Sequence, residues 1–360
     1  MDSRSWLLLE QEDPTWRLPD DLRARDPFAA RDCGWVEQMR PFIRQFSRPG
    51  ETVTDPFCGF ASTLLAAHLE GRAGVGYEIE ALRVELARER LARHAAERQQ
   101  LFAQELPEQG EPLDLCLGNL PYFGCAWSGS NAAQLYASPD YASYLQQLAV
   151  LFRRIAGRLR TGRYCILMAQ NIDVGGHWLP QAWDVARVLS DYLQPCGERL
   201  LLYPKPVQAL APLDSGHDRS HEYALIFRKV PAAQDLEGAL RLLRELQQLG
   251  LGFQVYGSFG RWLQDPERVE PGDVDLLLPA DEANLNALLL ALQQRGFALS
   301  SWREPVQPPL QLADYAGRYY FRAERTERQG RQLRIDLTWE LESGQCVSLG
   351  GGSARGLPLA

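Results

Sequence analysis

Ordered cysteine pairs, long apolar runs and lysine are all scarce in this sequence. The seven cysteines are scattered without a Cys-X-X-Cys pair, which argues against a disulfide framework and against a zinc site. No apolar run reaches the roughly 18 residues of a membrane span, and the apolar stretch near the start holds only three leucines, too few for a secretory signal. We therefore expect a cytoplasmic protein with reduced thiols and no membrane contact.

Lysine is so rare that Lys205 and Lys229 are the only two among 38 basic residues. The arginine bias is typical of a GC-rich coding sequence, so it says little about phosphate binding. Against 46 acidic residues it leaves a net charge of −8, which is a poor overall match to a polyanionic ligand. A local basic face on an acidic body would still permit nucleic-acid binding. The composition leaves the oligomeric state open.

Strand-like and helix-like segments alternate regularly over about residues 35–230. The hydrophobic share of 45% is enough for a packed core. Apolar strand patterns lie at 51–55, 73–78, 114–119, 163–170 and 221–230, and helical patterns at 36–46, 62–71, 80–100 and 143–159. Strands separated by helices of this length predict an α/β fold whose parallel sheet is covered on both faces. We expect the last of these strands at the edge of the sheet.

A break in this alternation divides the chain. Pro231 and the small residues after it predict a linker at 231–237, between a first domain at 1–230 and a second, smaller α/β domain at 238–342. In the second domain, helix-like segments again alternate with apolar strands. The glycine-rich end, 343–360, is expected to be a flexible tail.

The first chemical motif is a turn at the end of a strand. Asp55 ends the strand and opens the sequence Asp-Pro-Phe-Cys-Gly, which finishes at Gly59. In an open parallel sheet, ligands bind at the carboxyl ends of the strands, and a glycine there lets the backbone approach a ligand closely. The next strand ends in Glu78, an acid that can accept the hydroxyl hydrogens of a ribose. By themselves a glycine turn and an acid are a weak signal, because many structural turns look alike.

A second motif, Asn119-Leu120-Pro121-Tyr122, ends the strand at 114–119. The exocyclic amine of a base is a poor nucleophile because its lone pair is delocalised into the ring. A site that methylates it needs acceptors for the amine hydrogens, here the Asn119 side-chain oxygen and the Leu120 carbonyl, and a flat stacking surface such as Tyr122. An ordinary Asn-X-Pro turn with core aromatics explains the tetrapeptide better when it is taken alone. After the first motif, that alternative becomes the less favoured one.

Together the two motifs resemble those of bacterial amino-methyltransferases that modify adenine at N6 or cytosine at N4. Asp55–Gly59 looks like their Asp-Pro-Phe-X-Gly cofactor motif, Asn119–Tyr122 is similar to their catalytic motif, and 221–229 resembles their closing strand. The resemblance covers about residues 28–230. It implies a Rossmann-like methyltransferase sheet that binds S-adenosylmethionine and methylates DNA. The residues it implies are Asp55, Pro56, Phe57, Gly59 and Glu78 for cofactor binding, and Asn119, Leu120, Pro121 and Tyr122 for catalysis.

Two positions depart from the pattern of that family. Ala61 stands where glycine is usual, and Leu120 replaces the first proline of the catalytic motif. Ala61 is small enough to keep the close approach, and the role of Leu120 needs only a backbone carbonyl. Asn-Leu-Pro-Tyr is also the form seen in ribosomal RNA adenine dimethyltransferases, so an RNA substrate stays open, although the other motifs fit the DNA enzymes better. Asn119 in the first position favours adenine over cytosine.

Two long loops, 121–144 and 170–180, carry aromatic side chains towards the edge where a target strand would lie. Trp127, Tyr136 and Trp178 are candidates for stacking on bases, and packing as loop anchors explains them at least as well. The first domain holds no large recognition insertion. Any sequence specificity therefore comes from these loops or from a partner.

A second constellation lies in the smaller domain. A strand runs into Gly257-Ser258, Asp273 and Asp275 alternate on an apolar strand, and Asp336 lies in a later strand. Alternate residues face the same way, so the three carboxylates can gather around Mg²⁺, while a Gly-Ser turn at a helix start can hold phosphates. The simpler alternative is a turn and surface acids that bracket a buried strand. The pattern looks like that of polymerase-β-type nucleotidyltransferases, which implies a nucleoside triphosphate at the turn and a metal at the three aspartates.

The sequence therefore predicts a two-domain enzyme whose partner is nucleic acid. Its first domain is an S-adenosylmethionine-dependent base methyltransferase acting on DNA rather than RNA, with adenine N6 favoured over cytosine N4. Its second domain is nucleotidyltransferase-like. Three alternatives remain open: an RNA adenine methyltransferase, a protein whose main activity is Mg²⁺-dependent nucleotidyl transfer, and a non-catalytic nucleic-acid-binding protein.

Overall fold

The structure is a computed structural model with two compact units, Met1–Pro231 and Ala232–Ala360. It describes residues 4–30, 32–125, 131, 133–207, 219–231, 233–267, 269–316 and 319–338, without the side chains of 204–207, 219–220 and 329. Trp127 and the predicted tail at 343–360 lie outside the described residues.

The first unit alternates strands and helices along most of its length. Its strands are β1 (Trp6–Leu8), β2 (Thr52–Asp55), β3 (Ala73–Tyr77), β4 (Gln100–Phe102), β5 (Leu113–Asn119), β6 (Leu159–Ala169), β7 (Ile172–Val174), β8 (His177–Leu179), β9 (Gln194–Val207) and β10 (Arg219–Arg228). Its α-helices are α1 (Asp20–Arg23), α2 (Val36–Phe46), α3 (Ser62–Leu69), α4 (Ala81–Arg93), α5 (Tyr141–Arg158) and α6 (Gln181–Leu189). The predicted α/β class is confirmed.

Eight of these strands form one sheet in the order β1-β9-β10-β6-β5-β2-β3-β4. Strand β2 pairs in parallel with β3 on one side and with β5 on the other, and β5 pairs in parallel with β6. Only β10 runs against its neighbours β6 and β9. The chain therefore builds outwards from β2 in one direction and from β5 in the other. The crevice between the carboxyl ends of these two strands is the point at which such sheets bind ligands.

Apolar helix faces cover both sides of the sheet, as the pattern predicts. On α5 the buried residues Tyr144, Leu148, Phe152 and Ile155 recur at helical spacing and pack with one face of the strands. The helix begins where the Asp140 side chain accepts the Ser143 N–H, 2.7 Å away. Helices α2, α3 and α4 cover the opposite face in a separate apolar cluster. Side chains that point to opposite faces along the strands therefore contribute to two apolar cores, one on each face of the sheet.

The structure of this unit differs from the sequence-based predictions in four details. The helix expected over 80–100 ends at Arg93, because Ala95 takes a left-handed conformation (φ 52°), and residues 100–102 form β4 instead. The strand expected at the sheet edge, β10, lies inside it, because β9 and β1 continue the sheet beyond it. Strand β9 was missed, since its prolines and Gly197 obscure the strand pattern. The loop expected at 170–180 contains the hairpin β7–β8.

The second unit has its own six-stranded sheet in the order β11-β12-β16-β15-β13-β14. Its elements are α7 (Leu236–Gln248), β11 (Gln254–Tyr256), α8 (Gly257–Gln264), β12 (Val274–Leu277), α9 (Glu282–Gln294), β13 (Ala298–Ser301), β14 (Glu304–Pro305), β15 (Phe321–Thr326) and β16 (Gln332–Thr338). Strands β12 and β16 pair in parallel, and the remaining pairs are antiparallel. Helix α7 begins within the segment predicted as a linker, with Asp235 as its cap.

Across the described parts of both units, no helix is both long enough and apolar enough to cross a membrane.

Candidate active site

A cavity of about 430 Å³ opens at the carboxyl ends of β2, β3 and β5 in the first unit. Its wall includes every residue predicted for cofactor binding and catalysis in this unit: Asp55, Pro56, Phe57, Gly59, Glu78, Asn119, Leu120, Pro121 and Tyr122. The topology explains their meeting, because β2 lies between β3 and β5 and all three strands point the same way. Motifs that are far apart in sequence thus form one site.

Asp55 lies at the bottom of the crevice with 2% of its surface exposed. Its Oδ1 accepts the Phe57 N–H at 2.9 Å, and the Thr63 hydroxyl donates to the same carboxyl group. Burial raises the pKa of Asp55 to about 7, against the opposing effect of these two donors. Gly118 on β5 is needed opposite it, because a Cβ there would overlap the Asp55 carboxyl. The site therefore holds an acid that a cationic ligand would ionise fully.

The turn after β2 is tied to the end of β3. The N–H of Gly59 donates to Glu78 Oε2 at 2.9 Å, and the N–H of Glu80 donates to Oε1 at 2.8 Å. Burial raises the pKa of Glu78, while these backbone donors and the charge of Arg83 oppose the rise. Ala61 adopts a left-handed conformation with φ 63°. This conformation is strained for a residue that carries a Cβ.

Asn119 presents an unsatisfied acceptor to the cavity. Among the described residues, its buried Oδ1 accepts no hydrogen bond. Such an atom is costly in a folded protein, so its position calls for a donor from a ligand. Gly34 stands against the other side of the amide, since a Cβ there would overlap Asn119 Nδ2. The strand is held in register by the Leu120 N–H, which donates to the Met168 carbonyl at 3.0 Å.

Tyr122 is half-buried, and its hydroxyl donates to Glu222 Oε1 at 2.6 Å. Glu222 is fully buried on β10 and also accepts from Gln38 and Tyr203. The turn is fixed at Pro121 as well, whose carbonyl accepts the Tyr144 hydroxyl at 2.8 Å. The sequence predicted the Tyr122 ring only as a stacking surface, whereas the structure shows that its hydroxyl is also held by Glu222.

Several cavity residues escaped the sequence analysis. On the side near Glu78, Arg83 makes two hydrogen bonds to Asp32, at 2.6 and 3.0 Å, and Tyr136 donates to Asp32 at 2.9 Å. Gly34, Gln38 and Glu222 lie on the other side. Glu222 had a usable signal, because it is an acidic residue directly before the apolar run at 223–227. Asp32 and Gly34 had none, since they lie outside any recognisable motif.

The aromatic candidates of the loops divide. Tyr136 is half-buried with its hydroxyl on Asp32, which fits a loop anchor, whereas Trp178 on β8 is 59% exposed. Stacking on bases stays a prediction for both.

In the second unit the nominated residues also come together in part. Asp275 and Asp336 are direct partners across β12 and β16, and Gly257 opens α8 with φ 67° beside them. A Cβ at Gly257 would overlap the Asp275 carboxyl, and the Ser258 N–H donates to that carboxyl. Burial, with the charges of Asp273 and Asp336, raises the pKa of Asp275 to about 6. The glycine is thus explained by packing against the acid.

The cation beside these acids is an arginine. Arg322 on β15 holds Asp336 through two hydrogen bonds of 2.7 Å and lies 4.0 Å from Asp273. Tyr320 donates to Asp336 at 3.0 Å. Over the part of the chain that the structure describes, no three acids, histidines or cysteines are grouped to hold a metal ion. The predicted Mg²⁺ site at Asp273, Asp275 and Asp336 is therefore not supported by this arrangement and stays a prediction.

Residues 36–89 match the family model of the N6/N4 DNA methylases. The match runs from α2 through most of α4 and contains both Asp55 and Glu78. No curated protein matches the chain. The match, together with the sheet that contains the matched residues, supports a methyltransferase as the class of protein to which this unit belongs.

Three solved structures match this chain at low sequence identity. TrmN from Thermus thermophilus shares 16% identity at a TM-score of 0.41, over 58% of this chain and 53% of that one. TehB from Haemophilus influenzae shares 10% sequence identity at a TM-score of 0.37, over 53% of this chain and 61% of that one. The magnesium protoporphyrin IX methyltransferase ChlM from Synechocystis was solved with bound SAM. It shares 15% sequence identity at a TM-score of 0.36, over 54% of this chain and 77% of that one. The chain thus spans less than two thirds of the first two proteins.

Proposed function

We propose that the first unit transfers a methyl group from S-adenosylmethionine to the exocyclic amine of a base in DNA, with adenine N6 favoured over cytosine N4. The observation that carries this proposal is the buried Asn119 Oδ1, an acceptor without a donor at the cavity wall. An amine hydrogen of a base supplies the missing donor. The family match over residues 36–89 supports the choice of DNA.

The cavity fits the cofactor on its β2–β3 side. Asp55 and Glu78 are acids for the amino and hydroxyl groups of S-adenosylmethionine, and the turn at Gly59 lets backbone approach it. Both carboxyl groups keep acceptor capacity, because each oxygen can accept more than one hydrogen bond. When bound, S-adenosylmethionine supplies an electrophilic methyl group.

The β5 side fits the base. We assign Asn119 Oδ1 and the Leu120 carbonyl as acceptors for the two amine hydrogens. They strengthen their hold as positive charge grows on the nitrogen, so their contribution belongs to the transition state. Pro121 fixes the turn, and Tyr122 offers a ring for an extruded base. Asn119 orients the amine but does not take its proton, because an amide is not a base in water. The proton that the methylated amine loses passes to solvent water.

The experiment is to incubate the full chain with labelled S-adenosylmethionine and either DNA or RNA, then to identify the methylated nucleoside by mass spectrometry. N6-methyladenine in DNA is the expected product, whereas label found only in RNA would replace the substrate. Asn119→Ala should lower turnover by roughly a hundredfold with cofactor affinity kept. The matched control is Asn171→Ala. The Asn171 side-chain oxygen accepts the Ala182 N–H at 3.0 Å near the start of α6, and Asn171 does not line the cavity. Near-normal turnover in a folded Asn119→Ala protein would overturn the mechanism.

For the second unit we propose a nucleotide site at Gly257 and Ser258 and a metal at the three aspartates. The pairing of Asp275 with Asp336 beside the start of α8 supports it, and the hold of Arg322 on Asp336 opposes it. The melting temperature of the full chain should rise by mass action when Mg²⁺ and a nucleoside triphosphate are added, and the triple Asp→Asn variant should lose that rise. An unchanged melting temperature at millimolar metal and nucleotide would refute nucleotidyl transfer by this unit.

A further inference from the structure

A carboxyl group with no exposure lies beside the proposed base site. Glu222, on the closing strand β10, has 0% of its surface exposed. Its Oε1 accepts the Tyr122 hydroxyl at 2.6 Å, and its Oε2 accepts the Gln38 amide at 2.7 Å and the Tyr203 hydroxyl at 2.6 Å. Burying a carboxyl group is costly unless donors compensate it, so these three bonds are a condition of its presence.

The three donors come from separate parts of the fold. Gln38 is on α2, Tyr203 is on β9, and Tyr122 is in the turn after β5. Apolar packing would hold α2 and β9 without a charged group, since both have buried apolar residues in the same cluster. Tyr122 differs, because it lies in a turn rather than in a helix or strand. The carboxyl group therefore fixes Tyr122 more than it fixes the other two.

We propose that Glu222 is a positioning residue that holds the Tyr122 ring in the orientation required to stack on the target base. The inference rests on the proposed base methylation. Glu222 acts through Tyr122 and not on the substrate, since it has no exposed surface and its oxygens face three protein donors. With the phenol held by Glu222 and the neighbouring Pro121 carbonyl held by Tyr144, the turn is fixed on both sides of the ring. A ring held in advance loses less freedom when the base arrives.

The test is a double-mutant cycle on the full chain. Glu222→Gln keeps the shape and one acceptor oxygen. The two donors Gln38 and Tyr203 should hold that oxygen at the Oε2 position, so that the NH2 group replaces the oxygen facing Tyr122. Tyr122→Phe keeps the ring but removes the hydroxyl. Each should lower kcat/KM for nucleic acid about tenfold or more, the effect of leaving a buried polar group without its hydrogen-bond partner, while cofactor affinity by calorimetry stays unchanged. Because both remove the same bond, the double variant should be no worse than the poorer single one.

The chain provides a matched control pair. Tyr141 donates its hydroxyl to Asp184 Oδ2 at 3.0 Å, a phenol–carboxyl bond of the same kind in the same unit, and neither residue lines the cavity. Tyr141→Phe and Asp184→Asn should leave kcat/KM within about twofold of the starting value, because the first keeps the ring packed on Phe123, the second keeps the shape, and neither residue lines the cavity. A loss as large in the control pair would mean a general effect of the substitution, and the proposal would fall.

A second readout separates this inference from the proposed reaction. Tyrosine labelled with ¹³C at Cζ reports the Tyr122 hydroxyl by NMR without any substrate, and Tyr122→Phe assigns its signal. Glu222→Gln should shift that signal, and Asp184→Asn should not. If the shift appears but the unaltered protein methylates no nucleic acid, the proposed function fails and the anchoring of Tyr122 stands. If methylation occurs and Glu222→Gln leaves kcat/KM unchanged, or the two substitutions act additively, the positioning role of Glu222 is refuted.

Discussion

The acid at the bottom of the cavity predicts an unusual dependence of stability on pH. Asp55 has an ordinary pKa of 3.8 that burial raises to about 7 in the folded protein. Its folded state therefore binds a proton more tightly than its unfolded state does. Below about pH 4 both states are protonated and no stability is lost. As the pH rises from there to about 7, the unfolded state ionises first and the free energy of unfolding falls.

The size of that loss follows from the two pKa values. The difference between 3.8 and about 7 corresponds to a free energy on the order of 4 kcal/mol, because each pKa unit is worth about 1.4 kcal/mol. Asp55→Asn removes the ionisation while its amide oxygen can still accept the Phe57 N–H. The variant should therefore gain stability relative to the unaltered protein by up to about that amount between pH 4 and pH 7, and the gain should level off above pH 7.

Urea unfolding between pH 4 and 8 measures this difference. Pulsed hydrogen exchange in the peptides of β2 and β5 reads the first unit alone. Asp21→Asn is a control of opposite sign, since the hydrogen bond from Arg93 lowers the pKa of Asp21, and its effect should be flat over this range. Parallel curves for Asp55→Asn and the unaltered protein would refute the assignment of a raised pKa to Asp55.

Three further predictions concern backbone and charge. Ala61→Gly should raise the free energy of unfolding by about 1 kcal/mol in chemical denaturation, because a left-handed alanine is strained and glycine is not; a loss of stability would show that the strain is absent. Gly34→Ala should displace the Asn119 amide and lower turnover at least about tenfold in steady-state kinetics, with little effect on cofactor affinity, and unchanged turnover would contradict the close approach. Arg322→Ala should lower the melting temperature, because it leaves Asp336 without its cation. Millimolar Mn²⁺ should then raise the melting temperature of this variant by more than it raises that of the unaltered protein. An equal response of both proteins would show that no metal replaces the guanidinium.

Much of the first unit was readable because local signals agreed with the tertiary structure. The helix predicted over 36–46 has those bounds in the structure, and the strand expected at 114–119 is β5 with one more residue. Both have strong periodicity and clear turn signals at their ends. Strand β9 shows the limit, because it carries two lysine-flanking prolines and a glycine yet is held in the sheet by β10 and β1. Pairing with neighbours outweighs local preference there.

The role of Tyr122 shows the same limit within the site. From the sequence, the residue is a stacking surface that phenylalanine would replace with little loss. The structure gives its hydroxyl a partner 100 positions away in the chain, Glu222, so the same substitution is now expected to lower activity. A pattern of residue types reveals which rings can stack, but not which polar atoms need a partner.

The sequence alone determined the motifs and their places at the ends of strands in a predicted parallel sheet. Asp55, Glu78 and Asn119 each end a strand, and strands of a parallel sheet end at the same edge. Only the tertiary structure decided which groups lie opposite one another. It placed Glu222 under Tyr122, Gly34 against Asn119, and a guanidinium rather than an open space beside Asp336. The physical reason is that strand ends depend on local pattern, whereas hydrogen-bond partners and local charge depend on contacts between distant segments.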